Sequence, residues 1–307
     1  MLLHVAFLNM DHTSSHVLEQ SRLLFINLVH SLAVKIASKP EHVLRATNLI
    51  SVVSEKEGKV MWTHEERDLK TARCNSEADL GILLQRTLDV FLFNTPDLRQ
   101  QWASVALTWT TTCPFQHLAN RSAQILRALK PTLMQQMLAD ILTRLSEMLS
   151  STRDDSQIFA LELLITVEHF IDSLENSKLI LFPQLFWASV AILQSNIRHE
   201  FVRGIKMLSH LLDRIDITDE SVRNVLMSNV CFLHFYFIFI SLKQPLLQLP
   251  LDWQPPFTGI QPLVLKGLQA DDSDATVAMT IQFLTRLCAI KYVFTENFVT
   301  TNLTNYY

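Results

Sequence analysis

Glycine is the scarcest structural resource in this sequence: 5 residues in 307, where average usage would give about 21. Glycine supplies the positive-φ turns and phosphate-cradling loops of α/β nucleotide-binding enzymes, so a doubly wound nucleotide-binding fold is not expected. No GxSxG, Walker A or GxGxxG pattern occurs. Strand signals are missing too. No period-2 alternation of useful length appears, except within the last 17 residues.

Cysteine is sparse and scattered. Cys74, Cys113, Cys231 and Cys288 lie 39 to 118 residues apart with no CxxC pair, so neither a zinc ribbon nor a disulfide framework is indicated. Excess charge is also lacking. Net charge is −4, from 26 basic and 30 acidic side chains, and without a basic stripe no nucleic-acid partner is expected. The opening residues, Met1 to Leu8, have no basic n-region and meet Asp11 and His12 too early for a signal peptide. The longest apolar run, CFLHFYFIFISL over 231–242, falls short of the ~20 residues that span a bilayer, so no transmembrane span is expected.

Helical periodicity fills the space these absences leave. Met134, Leu138, Ile141, Leu145 and Met148 step by four and three, as do Phe201, Ile205, Leu208, Leu212 and Ile215. Pro40, Pro96, Pro114 and Pro131 fall between apolar runs, where a helix interior could not accept them. Asp97, Asp154 and Asp219 stand where N-caps or first-turn acids belong. This punctuation predicts helices near 16–38, 41–53, 77–94, 97–112, 115–129, 132–149, 154–175, 178–194, 198–214, 219–242 and 274–290. Taken in pairs they recur about every 37–45 residues, the period of HEAT and armadillo units. The fold class read from this is all-α, an α-solenoid of HEAT/armadillo-like antiparallel helix pairs.

The division along the chain is a first helix pair (1–54), a charged flexible loop (55–76), a helical-repeat core (77–242), a Pro-rich extended connection (243–272), a final helix (273–290) and an irregular tail (291–307). The loop rests on 11 charged residues among 55–77, and the connection on five prolines in 245–262.

Candidate chemistry is thin. His12 and His16, at i,i+4, lack a third metal ligand. Cys113 and His117 lack an orienting group and an oxyanion cradle for nucleophilic catalysis. No cofactor is implied and no enzyme is expected. Arg121, Arg127 and Lys130 spread around their helix rather than forming a stripe. Trp102 and Trp109, two turns apart on one helix, read as inter-repeat core; exposed, they would be a partner hot spot. Asn120-Arg121-Ser122 and Asn302-Leu303-Thr304 match the glycosylation sequon without a secretory context. A solenoid without catalytic chemistry binds proteins along its surface, so protein partners are the default.

The stretch 102–130, WASVALTWTTTCPFQHLANRSAQILRALK, carries the most specific signal. Its pattern of Trp102, Leu107, Trp109, Cys113-Pro114, His117, Ala119, Arg121-Ser122, Gln124-Ile125 and Arg127 resembles the Furry family of cell-morphogenesis proteins. The opening FLNMDHTSSHVLEQSRLLFINLVHSLA and the later PPFTGIQPLVLKGL resemble parts of that family in the same order. The resemblance implies a piece of a much larger helical-repeat scaffold for NDR-type kinases and their Mob coactivators. It implies a cytoplasmic protein associated with microtubules or the cell cortex, acting in polarised growth, cell shape and neurite patterning. It carries over no catalytic residue. Arg121, Gln124 and Arg127 match the pattern and are expected to bridge adjacent repeats by hydrogen bonds rather than to dock a partner.

CFLHFYFIFISLKQP (231–245) and the ending KYVFTENFVTTNLTNYY depart from the family, and intron-derived residues are the expectation there. Rival readings are a HEAT-type transport or trafficking adaptor, a helical-repeat subunit of an enzyme such as a prenyltransferase-like chain, and a membrane-anchored protein resting on 231–242.

Overall fold

The computed structural model describes residues 1–62 except 13, 38, 58 and 60, residues 76–228 except 150 and 152, and residues 260–269 and 274–289. Every regular element among them is helical. The chain divides into two compact units, Met1–Ile141 and Leu142–Tyr307. The expected runs 231–242 and 291–307, and most of 219–242 and 243–259, lie outside the described residues.

The first unit opens with a helix that periodicity did not predict, α1 (Leu2–Leu8), followed by α2 (Ser15–Val29) and α3 (Pro40–Ser54). The single helix expected over 16–38 instead changes character at His30–Val34, where the turn widens to π geometry, and ends before Pro40. Then come α4 (Ser76–Phe91), α5 (Leu98–Thr112) and α6 (Gln116–Leu129). Only Cys113 to Phe115 separate α5 from α6, so the chain must double back. The Arg99 guanidinium, at the start of α5, confirms the antiparallel sense by donating to the Leu129 carbonyl at the end of α6, 2.7 Å away. That bond also satisfies one of the carbonyls a helix C-terminus leaves orphaned.

α6 packs against α5, α4 and α1 and is buried on almost every side. It stops at Lys130, held at φ 48°, ψ 56°. A C-terminal left-handed residue is usually glycine; here a lysine takes that conformation immediately before Pro131, at a cost of about 1 kcal/mol.

The charged segment between α3 and α4 is not wholly solvated. Met61 and Trp62 are buried, and the Trp62 indole N–H donates to the Phe7 carbonyl at the end of α1, 3.1 Å away. The core contact is invisible in the local sequence because its partner lies 55 residues upstream.

The unit boundary falls within α7 (Gln135–Leu149). The second unit continues with α8 (Asp154–Ser173), the short α9 (Asn176–Leu179), α10 (Pro183–Ile192), α11 (Arg198–Arg214) and α12 (Glu220–Ser228). The one helix expected over 178–194 is two. Pro183 opens α10, and the ring of a proline pushes the preceding residue out of helical φ/ψ; Phe182 sits at φ −124°, ψ 60°. Of the three expected caps, Asp219 accepts the Ser221 N–H at 2.8 Å, whereas the Asp97 side chain makes no cap bond.

After the break come α13 (Ile260–Leu265), a 3-10 turn (Lys266–Gln269) and α14 (Asp274–Ala289). An extended connection is expected across 260–269, but these residues are helical. Pro262 is accommodated because it lies in the first turn, where no intrahelical N–H bond is lost.

The stacking of the second unit is written in its long-range polar bonds. Glu168 pairs with Arg203, and the Asp172 carboxylate lies 2.8 Å from His210 Nδ1. Arg214 donates to the Ile171 and Leu174 carbonyls and, at 2.8 Å, to Asn176 Oδ1. Partners advance together along α8 and α11, so these helices run parallel. Arg198 to Thr276 and Asp213 to Arg286 show the same sense for α11 and α14. The α8–α11 bonds span 35 to 43 residues, and the Trp187 indole N–H reaches the Leu226 carbonyl over 39. α8 and α11, and α11 and α14, therefore lie side by side and parallel, while α10 joins α11 through a short link and packs on it. This is the neighbour pattern of stacked helix pairs.

Candidate functional site

The residues singled out in 102–127 divide into an inward and an outward set. Trp102 is buried with its ring edge against Phe7, centroids 4.9 Å apart. Its indole N–H donates to His4 Nδ1 at 3.3 Å, and His4 Nε2 lies 3.1 Å from Ser122 Oγ. An indole nitrogen can only donate, so His4 Nδ1 must accept. The neutral ring then carries its proton on Nε2 and donates it to Ser122. Burial pushes the His4 pKa down to about 3 and keeps the ring neutral. Trp109 is half-buried, meeting the same imidazole edge-on at 5.7 Å. One histidine thus joins three helices.

One residue before Ser122, Arg121 turns to the loop after α1 and pairs with Asp11, 3.1 Å away, both side chains nearly out of solvent. Gln124 and Arg127 are buried at 1% and 3% exposure. Among the described residues both ends of the Gln124 amide lack a hydrogen-bond partner, an arrangement that costs stability unless water completes it.

The outward set is Pro114, Phe115 and His117 at the α5–α6 turn. All are exposed, and the Phe115 ring lies 6.2 Å from that of His117. Cys113 is buried, its Sγ turned to the Phe115 carbonyl at 3.6 Å rather than toward His117. No group of three or more His, Cys, Asp or Glu could hold a metal among the described residues. His12 Nδ1 accepts the Ser14 N–H at 3.0 Å. Asn120 is buried within α6, which leaves no room for a glycan on the first sequon; Asn302 lies outside the described residues.

His4 was not among the sequence candidates. Its partners stand 98 and 118 residues away, beyond any local pattern. The clue was the joint presence of an N-terminal segment and the 102–130 stretch, which the structure brings together through His4 and Asp11.

A second buried polar cluster joins α11 to the 3-10 turn. Glu200 is almost fully buried and accepts a hydrogen bond from the Ser195 hydroxyl. Lys266 donates to the Ser195 carbonyl and sits 5.0 Å over the Phe201 ring. Burial raises the Glu200 carboxyl and lowers the Lys266 ammonium to about 8. Gly267 permits this docking: a Cβ there would lie 2.3 Å from Thr280 Oγ1 and 2.7 Å from the Phe201 ring.

Residues 1–154 match the family model described as the cell morphogenesis central region, and 183–293 match the cell morphogenesis C-terminal model. The chain belongs to the Furry family of cell-morphogenesis proteins. Cell morphogenesis protein PAG1 of Saccharomyces cerevisiae is 30% identical over 297 residues, covering 95% of this chain. Cell polarity protein mor2 of Schizosaccharomyces pombe is 26% identical over 274 residues, covering 89%. The chain spans about a tenth of the length of these relatives, 11% of each. The C-terminal family match runs across 231–245 and stops before 294–307. No helix among the described residues is long and apolar enough to cross a membrane.

Proposed function

We propose that this chain is a non-enzymatic scaffold segment of a Furry-type protein, supporting NDR-kinase signalling in cell morphogenesis, polarised growth and neurite patterning. The observation that carries the reading is how the family pattern is used. Two of its polar members hold elements together: Ser122 through His4 and Trp102, and Arg121 through Asp11. A pattern used for internal bracing fits a structural array better than a catalytic centre. Relatives named for morphogenesis and polarity supply the process. An NDR-type kinase and its Mob coactivator are the proposed partners, with microtubules or the cell cortex as the site of action and the cytoplasm as the compartment.

Capture of the tagged chain, and in parallel of a longer form of the protein, from cell lysate probed for an NDR-family kinase and Mob tests this. Kinase recovered with both forms assigns a docking surface to these 307 residues. Kinase recovered only with the longer form makes the segment a spacer within the scaffold. Recovery with neither, or recovery of cargo or a small GTPase instead, overturns the kinase assignment.

A further inference from the structure

Arginine in a folded chain often pairs with an acceptor, because its five donors form a rigid fork that matches carboxylates. Among the described residues that expectation is met nearly everywhere. Arg22 pairs with Glu19, Arg121 with Asp11, Arg144 with Glu147, Arg203 with Glu168, and Arg286 with Asp213. Arg99, Arg198, Arg214 and Arg223 donate to carbonyls or side chains. Arg45 and Arg86 have no hydrogen-bond or ion-pair partner among the described residues, and both line the same groove between α3 and α4.

That groove has a volume of about 560 Å³. Its floor is apolar, formed by the buried Leu49 and Val90, and its rim is polar, with Asn48 beside the two exposed arginines. The spacing explains the arrangement. Arg45, Asn48 and Leu49 stand at i, i+3 and i+4 on α3, while Arg86, Asp89 and Val90 repeat that spacing on α4. Each helix thus offers one cation above one apolar residue.

We infer that the α3–α4 groove docks an acidic peptide segment of a protein partner, placing carboxylates on Arg45 and Arg86 and an apolar side chain between them on Leu49 and Val90. Asp89, which accepts a hydrogen bond from the Gln85 amide at 2.7 Å, stands within the groove. The two arginines outnumber this one carboxylate, so the groove keeps a net positive charge that attracts an anionic segment, and two separate guanidinium groups match two separate acidic side chains. The inference rests on the scaffold reading only for the class of partner, a protein.

The test is fluorescence polarisation with the whole 307-residue chain and a fluorescein-labelled twelve-residue peptide in which two glutamates flank a leucine. Counterparts carry glutamine, lysine or phosphoserine in place of the glutamates. The glutamate peptide is expected to bind saturably, and the glutamine peptide about tenfold or more weakly. The double variant Arg45→Glu/Arg86→Glu is expected to lose the glutamate peptide and gain the lysine one. Arg45→Gln/Arg86→Gln, which introduces no new charge, is expected to lose the glutamate peptide and gain nothing. Both arginines are exposed, so circular dichroism and melting should match the parent chain. Equal affinity for glutamate and glutamine peptides, no binding, or binding untouched by either double variant overturns the proposal. Tighter binding of the phosphoserine peptide overturns the carboxylate assignment. The assay needs no kinase, so its failure leaves the capture experiment unaffected.

Discussion

Lowering the pH should loosen the first unit through His4, and the size of the effect follows from the geometry. The folded ring titrates at about 3, and an unfolded histidine at about 6.5. Between those values the unfolded chain binds a proton that the folded chain refuses, so stability falls as pH drops through this window and is complete above it. Each pH unit is worth about 1.36 kcal/mol at full effect, so acidifying from 7 to 5 removes about 2 kcal/mol. Urea unfolding followed by tryptophan fluorescence at pH 7 and pH 5 measures this in the parent chain and in His4→Gln, which cannot titrate. The replacement lowers stability at pH 7 because the Trp102 and Ser122 bonds are disturbed, but its pH dependence should be shallower by about 2 kcal/mol. His199, also lowered by burial, contributes in the same sense as His4, while the raised Glu200 contributes in the opposite sense. Both contributions are common to the two proteins and cancel in the comparison. Identical slopes would refute a buried, neutral His4.

Three further outcomes follow from single contacts. Arg121→Ala strips the nearly buried Asp11 of its guanidinium and should cost about 3 kcal/mol in urea unfolding, whereas Arg153→Ala, whose ion pair is exposed, should cost less than about 0.5 kcal/mol. Lys130→Gly relieves the left-handed strain at the end of α6 and should raise stability by about 1 kcal/mol, read as a higher melting temperature. Gly267→Ala drives a methyl into Thr280 and Phe201 and should destabilise the 3-10 turn's docking by about 2 kcal/mol, seen as faster amide exchange over 260–269.

Legibility in the sequence followed the range of the interaction. The 201–215 stripe was readable because the residues that define it are near neighbours, and all five of its members are buried. The 134–148 stripe was readable too, although Met134 precedes the helix and is half exposed. Pro131 and Pro40 marked real breaks, yet Pro183 also ended a helix that apolar content alone carried straight through. The α8–α11 ladder underlies the repeat period, which the spacing of helix pairs had already suggested. Trp62 and His4 were not legible: each is held by a partner 55 or more residues away, in segments to which the local pattern assigns no helix. The motif at 102–127 was visible as a pattern but not as two faces, since its outward members cluster at the α5–α6 turn between inward ones on either side.

Side-chain accessibility tests the central claim, that the family pattern braces the interior and leaves only the turn outside. Gln124→Cys and His117→Cys would be labelled with maleimide under native conditions and followed site by site by peptide mass spectrometry, with the exposed Cys288 as an internal reference. Position 117 should react as fast as Cys288, while position 124 should react only when urea unfolds the chain. Equal, rapid labelling at 117 and 124 in the folded protein would contradict that claim.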